Sequence, residues 1–268
     1  MVRSPLVLLW EDNNVNGNLI GMLMGLGMIW FAAGAAGQEK QAPQTPRHLP
    51  GGGVADPAGK TGFVPNPSGG IDALDLATGK LLWSSKDANR PLFATADRLV
   101  AQKQASLIVL DTTQEGKAVR EAKSIALPNW ASVEPGYGQS YRGSVRLNGD
   151  TLLLSWEARA FYAGGAAPTP EIEKRARKEA SGVARLDLKT GKLDSLDADQ
   201  IAAGKFFPMP ADAINSKAGA LTLSVKDGSA KNPKNIFEKR RTLQAINEAK
   251  EVVWARDIAA PIFLPPRP

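Results

Sequence analysis

IDALDLATGKLLW, residues 71–83, is the phrase that decides the fold of this chain. It joins an apolar strand that ends at Asp75 to a polar turn and a second apolar strand. Related phrases recur as LIVLDTTQEGK (107–117), VARLDLKTGK (183–192) and LQAINEAKEVVW (243–254). Internal repeats determine an architecture before any single motif does. Each copy therefore predicts one hairpin of a repeated antiparallel unit.

The turn in this phrase has a clear physical basis. Its first residue is Asp or Asn, whose side chain accepts backbone N–H bonds two residues on. A glycine then supplies the positive φ that tight hairpins require. We expect the large aromatics after the turn to pack between neighbouring units. The residues that carry these predictions are Asp75, Gly79, Trp83, Asp111, Gly116, Asp187, Gly191, Asn247 and Trp254.

The fourth copy departs from this pattern. It lacks the glycine and is one residue shorter from Asn247 to Trp254 than the first copy is from Asp75 to Trp83. We expect either a different turn there or Asn247 itself in a left-handed conformation.

The first copy resembles the repeat of the pyrroloquinoline-quinone-like (PQQ-like) β-propellers, roughly Ala-Leu-Asp-x-x-Thr-Gly-Lys-x-x-Trp. Ala73–Asp75, Thr78–Lys80 and Trp83 all match it, whereas the third copy has Ser195 in place of the Trp. The resemblance covers most of Gly62–Pro268 and implies an all-β propeller. It implies no single function, because the repeat occurs in dehydrogenases and in non-catalytic scaffold proteins alike.

A propeller blade has four antiparallel strands, of which the repeat marks the last two. Working outward from the repeats predicts four blades of about 50 residues each, the last opening with a strand near Phe206–Ala211. Blade one lacks a first strand, and Ala260–Pro266 resembles a first strand with no blade after it. We therefore expect the C-terminus to complete blade one and close a four-bladed ring, which removes exposed sheet edges. A half-ring that pairs with a second chain, and so a homo-oligomer, stays open as the alternative.

Two further segments are predicted before the propeller at 62–268. Leu19–Ala36 is an uncharged apolar helix candidate of a length between a signal h-region and a membrane span. The small residues before Gln38 resemble a signal-peptidase site, although Glu11 and Asp12 oppose the usual positive flank. Residues 1–37 are thus a signal peptide or a membrane anchor, unless the start codon is misassigned. Residues 38–61 are rich in Pro and Gly and predict a flexible tether.

Composition excludes several kinds of chemistry. There is no cysteine, and the one histidine, His48, falls in the predicted tether. Disulfides, thiolate metal sites, Cys nucleophiles, Ser-His-Asp catalysis and multi-histidine metal sites are therefore excluded from the propeller. Catalytic members of the PQQ-like family are larger rings with a vicinal Cys pair and a calcium site. We expect no enzyme, no cofactor and no metal.

The sequence offers two groups of candidate interaction residues. The loop Asn129–Arg142 concentrates aromatics with Glu and Arg, the residue types that most often anchor partners, although its rings could equally fill the gap between blades two and three. The insertion Thr169–Gly182 predicts a charged helix with Thr169 as N-cap and Gly182 as its end. The candidates are Trp130, Glu134, Tyr137, Tyr141, Arg142, Lys174, Arg175, Arg177 and Lys178.

Two functions follow from these features. The first is a non-catalytic propeller exported to the periplasm or envelope of a bacterial cell, where it acts as an interaction scaffold or assembly subunit for other envelope proteins. The second is a propeller that binds a small molecule or carbohydrate, with or without weak hydrolytic activity. The net charge of +6 is interpreted as a mixed-charge surface rather than as a nucleic-acid site.

Overall fold

The computed structural model describes residues 44–119, 123–131, 133, 139–162, 169–176, 178–196, 215–230 and 239–259. The first nine strands of this part are Arg47–Leu49 (β1), Gly53–Ala55 (β2), Thr61–Pro65 (β3), Ile71–Asp75 (β4), Leu81–Ser85 (β5), Arg90–Ala94 (β6), Arg98–Lys103 (β7), Ser106–Asp111 (β8) and Lys117–Ala118 (β9). The others are Lys123–Ser124 (β10), Gln139–Asn148 (β11), Thr151–Ala160 (β12), Glu179–Asp187 (β13), Leu193–Leu196 (β14), Asn215–Ala218 (β15), Leu221–Ala230 (β16), Lys239–Ile246 (β17) and Val252–Ile258 (β18). A short helix of seven residues, α1, runs over Pro170–Ala176 between β12 and β13.

These strands form four antiparallel sheets that follow one another along the chain. Sheet 1 has the order β1-β2-β3-β4-β5, and sheet 2 the order β6-β7-β8-β10, with β9 also paired to β8. Sheet 3 is β11-β12-β13-β14, and sheet 4 is β15-β16-β17-β18. The repeated phrases fall on the last two strands of sheets 1 and 4, and on the third strand and the turn that follows it in sheets 2 and 3.

Apolar side chains fill three contacts between sheets. Sheet 4 packs on sheet 1 through residues such as Leu49, Leu74, Leu223 and Leu243. Sheet 1 packs on sheet 2 around Phe63 and Leu99, and the other face of sheet 2 packs on sheet 3. The sheets thus succeed one another in the order 4, 1, 2, 3.

The predicted closure of the ring would need a fourth contact, between sheets 3 and 4. No apolar cluster joins these two sheets among the residues that the structure describes. The all-β architecture of four sheets is confirmed, and the closed ring stays a prediction. The predicted apolar helix Leu19–Ala36 and the predicted closing strand Ala260–Pro266 lie outside the described residues. Within the described ranges, no helix is long and apolar enough to cross a membrane.

The predicted tether is wrong from Arg47 onward. β1 and β2 pair with each other and β2 pairs with β3, so sheet 1 has its full set of strands without the C-terminus. Leu49, Val54 and Ala55 are buried in the contacts with sheets 4 and 2. The prediction failed because these strands are only three residues long, too short to show an apolar alternation against a background of Pro and Gly.

Residues 44–49 also connect sheets that are distant in sequence. Gln44 and Leu147 of β11 exchange backbone hydrogen bonds of 2.7 and 2.9 Å. Three residues later, β1 pairs with β2 of sheet 1 and contacts β15 of sheet 4. This short segment therefore touches sheets 3, 1 and 4.

One other predicted boundary is wrong. The helix predicted to end at Gly182 ends by Ala176, because β13 already begins at Glu179 and pairs along nearly all of β12. Gly182 lies inside that strand, where a Cβ would stand 2.6 Å from the Trp156 ring. The first described strand of sheet 4 is Asn215–Ala218, and the predicted strand Phe206–Ala211 lies outside the described residues. Asn215–Ala218 is positioned by the tight turn at Gly219, with φ of +61°.

The turn Asp side chains accept backbone N–H bonds as predicted, although Asp75 and Asp187 bond to the residue three positions on rather than two. Oδ1 of Asp75 accepts hydrogen bonds from both N–H and Oγ1–H of Thr78, each of 2.8 Å, and Oδ1 of Asp187 accepts the N–H of Thr190 at 2.7 Å. Gly79, Gly116 and Gly191 have φ between +69° and +74°. Such a φ favours glycine because it lacks a Cβ.

The fourth turn is a different turn, which was the first of the two expectations. Asn247 accepts the N–H of Glu251 at 2.8 Å on its side chain, but the left-handed residue is Lys250, with φ of +64°. The alternative that Asn247 itself adopts this conformation is wrong. The Asn247 side chain orders the turn. The strained left-handed conformation is adopted by Lys250, three positions later.

The aromatic residues that follow the turns pack between sheets, as predicted. The indole of Trp254, on sheet 4, lies on Gly79 of sheet 1, and its Nε1–H donates to the carbonyl of Leu76 at 3.1 Å. Trp83, on sheet 1, lies in the same way on Gly116 of sheet 2. Each tryptophan thus covers the turn glycine of the next sheet, so the same glycine that shapes the turn also leaves room for the ring.

Gly79→Ala tests this double role. A Cβ at position 79 would stand 2.5 Å from Cγ of Trp254, whereas Gly69 has a φ of +83° and open space around the same position. We expect Gly69→Ala to cost about 1–2 kcal/mol for the backbone alone, and Gly79→Ala to cost a further ~1–3 kcal/mol for overpacking. Urea denaturation of the two variants measures the difference, and equal losses of unfolding free energy would contradict the contact.

Leu49→Ala tests whether β1 belongs to the folded unit. Leu49 is 4% exposed in the cluster between sheets 1 and 4. Truncating such a leucine typically costs about 2–5 kcal/mol. Lys60→Ala, at an exposed position of the same segment, serves as the control and should change the free energy of unfolding little. If this segment were a flexible tether, neither substitution would change the free energy of unfolding in the same denaturation experiment.

Candidate functional site

The acidic residues of the repeated turns are occupied by structural bonds. The pKa of Asp75 is lowered chiefly by the hydroxyl of Thr78, that of Asp111 by the hydroxyl of Thr113, and that of Asp187 by the N–H of Thr190. Asp111 also accepts a 2.7 Å bond from Arg98. These carboxylates are ordered by their own turns and are not arranged around a common point. In the described part of the chain, no three His, Asp or Glu residues come together as a metal site.

The described aromatics of the candidate loop are partly buried. Trp130 and Tyr141 pack against the apolar cluster between sheets 2 and 3, which is the space-filling alternative that the sequence left open. The Tyr141 hydroxyl accepts a 3.1 Å bond from Nε2 of Gln102, and the Arg90 guanidinium lies 5.3 Å from the ring centre. Burial raises the pKa of Tyr141 above its usual value. Of the remaining candidates here, Glu134 and Tyr137 lie outside the described residues.

The basic candidates of the insertion are spread over two elements. Lys174 is exposed on α1 and Lys178 is exposed just before β13. Arg175 lies on α1, and Arg177 is outside the described residues. Their role in binding a partner stays a prediction.

Arg142 has a different position from its neighbour Tyr141. On β11, Tyr141, Val145 and Leu147 face sheet 2, so the alternation of the strand places Arg142 on the opposite face of sheet 3. There it lines a cavity of about 180 Å³ together with Ser140 of β11 and Glu157 and Arg159 of β12. Cross-strand pairing brings these four together, because Ser140 lies opposite Arg159 and Arg142 opposite Glu157. This cavity is named the sheet 3 pocket below.

The two arginines of the sheet 3 pocket differ in their ion pairing. Nε of Arg159 bonds Oε1 of Glu157 and lies 3.7 Å from Oε1 of Glu179 on β13. Arg142 is exposed and has no hydrogen bond or ion pair with any described residue. The guanidinium of Arg159 is thus paired with carboxylates of the protein, whereas that of Arg142 is available to a ligand.

Two buried hydroxyls continue the same face of the sheet. Ser144 and Ser155 lie opposite each other, each two residues along from the pocket residues Arg142 and Glu157. They are 5% and 0% exposed, and neither Oγ has a hydrogen-bond partner. The polar character of this face contrasts with the apolar face toward sheet 2. It cannot be predicted from the sequence alone, because it shows only when β11 and β12 are set in register.

A second feature lies on the outermost strands, where large aliphatic side chains face solvent. They are Leu81 and Leu82 on β5, Val252 and Val253 on β18, and Val119 just after β9. Leu81 and Leu82 follow Gly79 along the chain, and Val252 and Val253 precede Trp254, whose ring lies on Gly79 at the contact between sheets 1 and 4. These four are named the outer-strand patch below. β5 and β18 also end their sheets.

The chain is similar to solved structures at low sequence identity. No protein-family model and no curated protein sequence matches the chain. The crystal structure of BamB from Moraxella catarrhalis is 16% identical with a TM-score of 0.34, over 78% of this chain and 65% of that one. A europium-containing methanol dehydrogenase is 13% identical with a TM-score of 0.29, over 79% and 48% of the two chains.

A third solved structure, the WD40 domain of SCAP from fission yeast, is 9% identical with a TM-score of 0.25, over 77% of this chain and 51% of that one. The chain therefore spans less than two thirds of each of these three proteins. They differ in function, and at these identities they assign none to this chain.

The turn carboxylates generate a prediction about acid stability. A carboxylate whose pKa is lowered on folding adds stability above its unfolded pKa of about 3.8, and this stability is lost as the pH falls through the folded value. Asn at position 187 keeps an oxygen to accept the Thr190 N–H but does not titrate. We expect Asp187→Asn to be less stable than the parent at neutral pH, and the two unfolding curves to converge below pH 3.8. Denaturant titrations across this range measure it, and parallel curves would contradict it.

Proposed function

We propose that this protein is a non-catalytic scaffold of the bacterial cell envelope that binds other proteins through the outer-strand patch. The observation that carries the proposal is the exposure of Leu81, Leu82, Val252 and Val253, at 41%, 47%, 52% and 51%. Single exposed aliphatics are ordinary, but neighbouring ones on a folded surface mark interaction sites.

The position of the outer-strand patch supports an extended partner. β5 and β18 are terminal strands of sheets 1 and 4, and each carries a β-bulge just before its tryptophan. Terminal strands present unpaired N–H and C=O groups that accept another strand, and flanking apolar side chains add specificity. The partner that fits this surface is an extended apolar segment of another protein.

The described residues support a non-catalytic role. The acidic groups of the repeated turns hold those turns, and Trp83 and Trp254 fill contacts between sheets. The alternative of a small-molecule site built from the aromatic side chains of the loop Asn129–Arg142 is weakened because Trp130 and Tyr141 pack against the apolar cluster between sheets 2 and 3. Placement in the periplasm or envelope rests on Leu19–Ala36, whose sequence favours export by a cleaved signal or by an anchor.

Site-specific photo-crosslinking tests the scaffold function. A photoreactive side chain at position 82 or 253 should capture a discrete protein from the native envelope, because both positions lie in the outer-strand patch. The control is position 189, whose lysine is 74% exposed on the equivalent turn of sheet 3.

Two outcomes would overturn the scaffold proposal. One is equal capture at position 189, which would indicate surface exposure rather than a binding surface. The other is a product of twice the chain mass alone, which would assign the outer-strand patch to a homo-oligomer. Loss of capture at position 253 in a Leu81→Ser, Leu82→Ser variant would support one continuous surface.

A further inference from the structure

We propose that the sheet 3 pocket binds a small monocarboxylate that also carries hydroxyl groups, of the size of a sugar acid. This proposal is independent of the scaffold function, because it concerns the far face of sheet 3 and none of the outer-strand patch. It rests on an available guanidinium, on the charge balance of the pocket and on buried hydroxyls beside it.

The available guanidinium selects a carboxylate. Arg142 lies directly opposite Glu157, yet Oε1 of Glu157 is bonded by Arg159, and Arg142 has no partner among the described residues. A guanidinium presents a planar fork of donors that matches a carboxylate with two parallel hydrogen bonds. A ligand carboxylate would therefore give Arg142 a hydrogen-bonding partner that no described residue provides.

The charge balance of the described groups disfavours a ligand with more than one negative charge. Arg142 and Arg159 are offset by Glu157, which lines the pocket, and by Glu179, which approaches Arg159 at 3.7 Å. Two positive and two negative groups leave no excess to hold a phosphate dianion. Glu157 and Glu179 would also repel it at close range, where like charges are costly. A monoanion bound at the Arg142 side avoids both carboxylates.

The remaining groups favour hydroxyls on the ligand. Ser140 lines the pocket, and Oε2 of Glu157 is not used in the bond to Arg159. Ser144 and Ser155 add two buried hydroxyls without partners on the same face. Buried polar groups are nearly always hydrogen-bonded, so an unpartnered pair beside a pocket indicates a polar ligand or its water. A cavity of about 180 Å³ also has the right size, since an engineered cavity of about 150 Å³ admits benzene.

Calorimetric titration of the full chain with glucuronate tests the proposal, with glucose and inorganic phosphate as matched probes. We expect saturable binding of glucuronate, and no binding of glucose, which has the hydroxyls but lacks the carboxylate. Arg142→Gln should weaken glucuronate binding by about tenfold or more, the typical effect of a lost charge-assisted hydrogen bond. Arg142→Lys should also weaken it, because lysine keeps the charge but lacks the fork.

The control variant is Lys117→Gln, which removes the same charge from an exposed position on sheet 2. It should bind glucuronate as the parent does, and circular dichroism should show both glutamine variants folded. The proposal is overturned if glucuronate does not saturate below about 10 mM, if phosphate binds as well, or if Arg142→Gln and Lys117→Gln behave alike. Unchanged crosslinking at positions 82 and 253 in Arg142→Gln would keep the two proposals separate.

Discussion

The contact between a tryptophan and the turn glycine of the next sheet is the constraint shared by two of the three described contacts between sheets. It joins sheet 4 to sheet 1 through Trp254 and Gly79, and sheet 1 to sheet 2 through Trp83 and Gly116. It couples two requirements, because the residue that permits the turn also makes room for the ring. Sheet 3 has no such tryptophan after its turn, and its face away from sheet 2 is correspondingly polar rather than apolar.

The parts of the fold that follow from the repeats could be predicted, and the parts that depend on pairing could not. Asp75, Asp187 and their glycines carry local turn chemistry that can be recognised in the sequence. The strands at Arg47–Leu49 and Asn215–Ala218 are short and polar, and only their neighbours in space make them strands. Gly182 is a residue type that often ends a helix. It lies inside β13 instead, because β13 pairs along nearly the whole length of β12.

The candidate site residues divide in the same way, into those recognised by residue type and those whose position depends on strand pairing. Trp130 and Tyr141 were selected as residue types that anchor partners, yet the same large ring area makes them good interior residues, and the structure uses them there. Arg142 was selected with them and faces the other way, because successive residues of a strand alternate between faces. Its companions Glu157 and Arg159 come from a strand that only cross-strand register brings alongside.

The segment Gln44–Leu49 has a consequence for how the protein folds. It bonds to Leu147, pairs with β2 and contacts β15, so some of its neighbours lie about a hundred or more residues further along the chain. Contacts of such separation slow folding, since a large loop must close before they form. During synthesis, β1 emerges long before β11 and β15 exist, and one of the earliest strands to leave the ribosome is among the last to reach its final surroundings. β1 can pair with β2 at once, but in this interval Gln44 lacks Leu147 and β1 lacks its contact with β15, which leaves this segment open to capture by other chains.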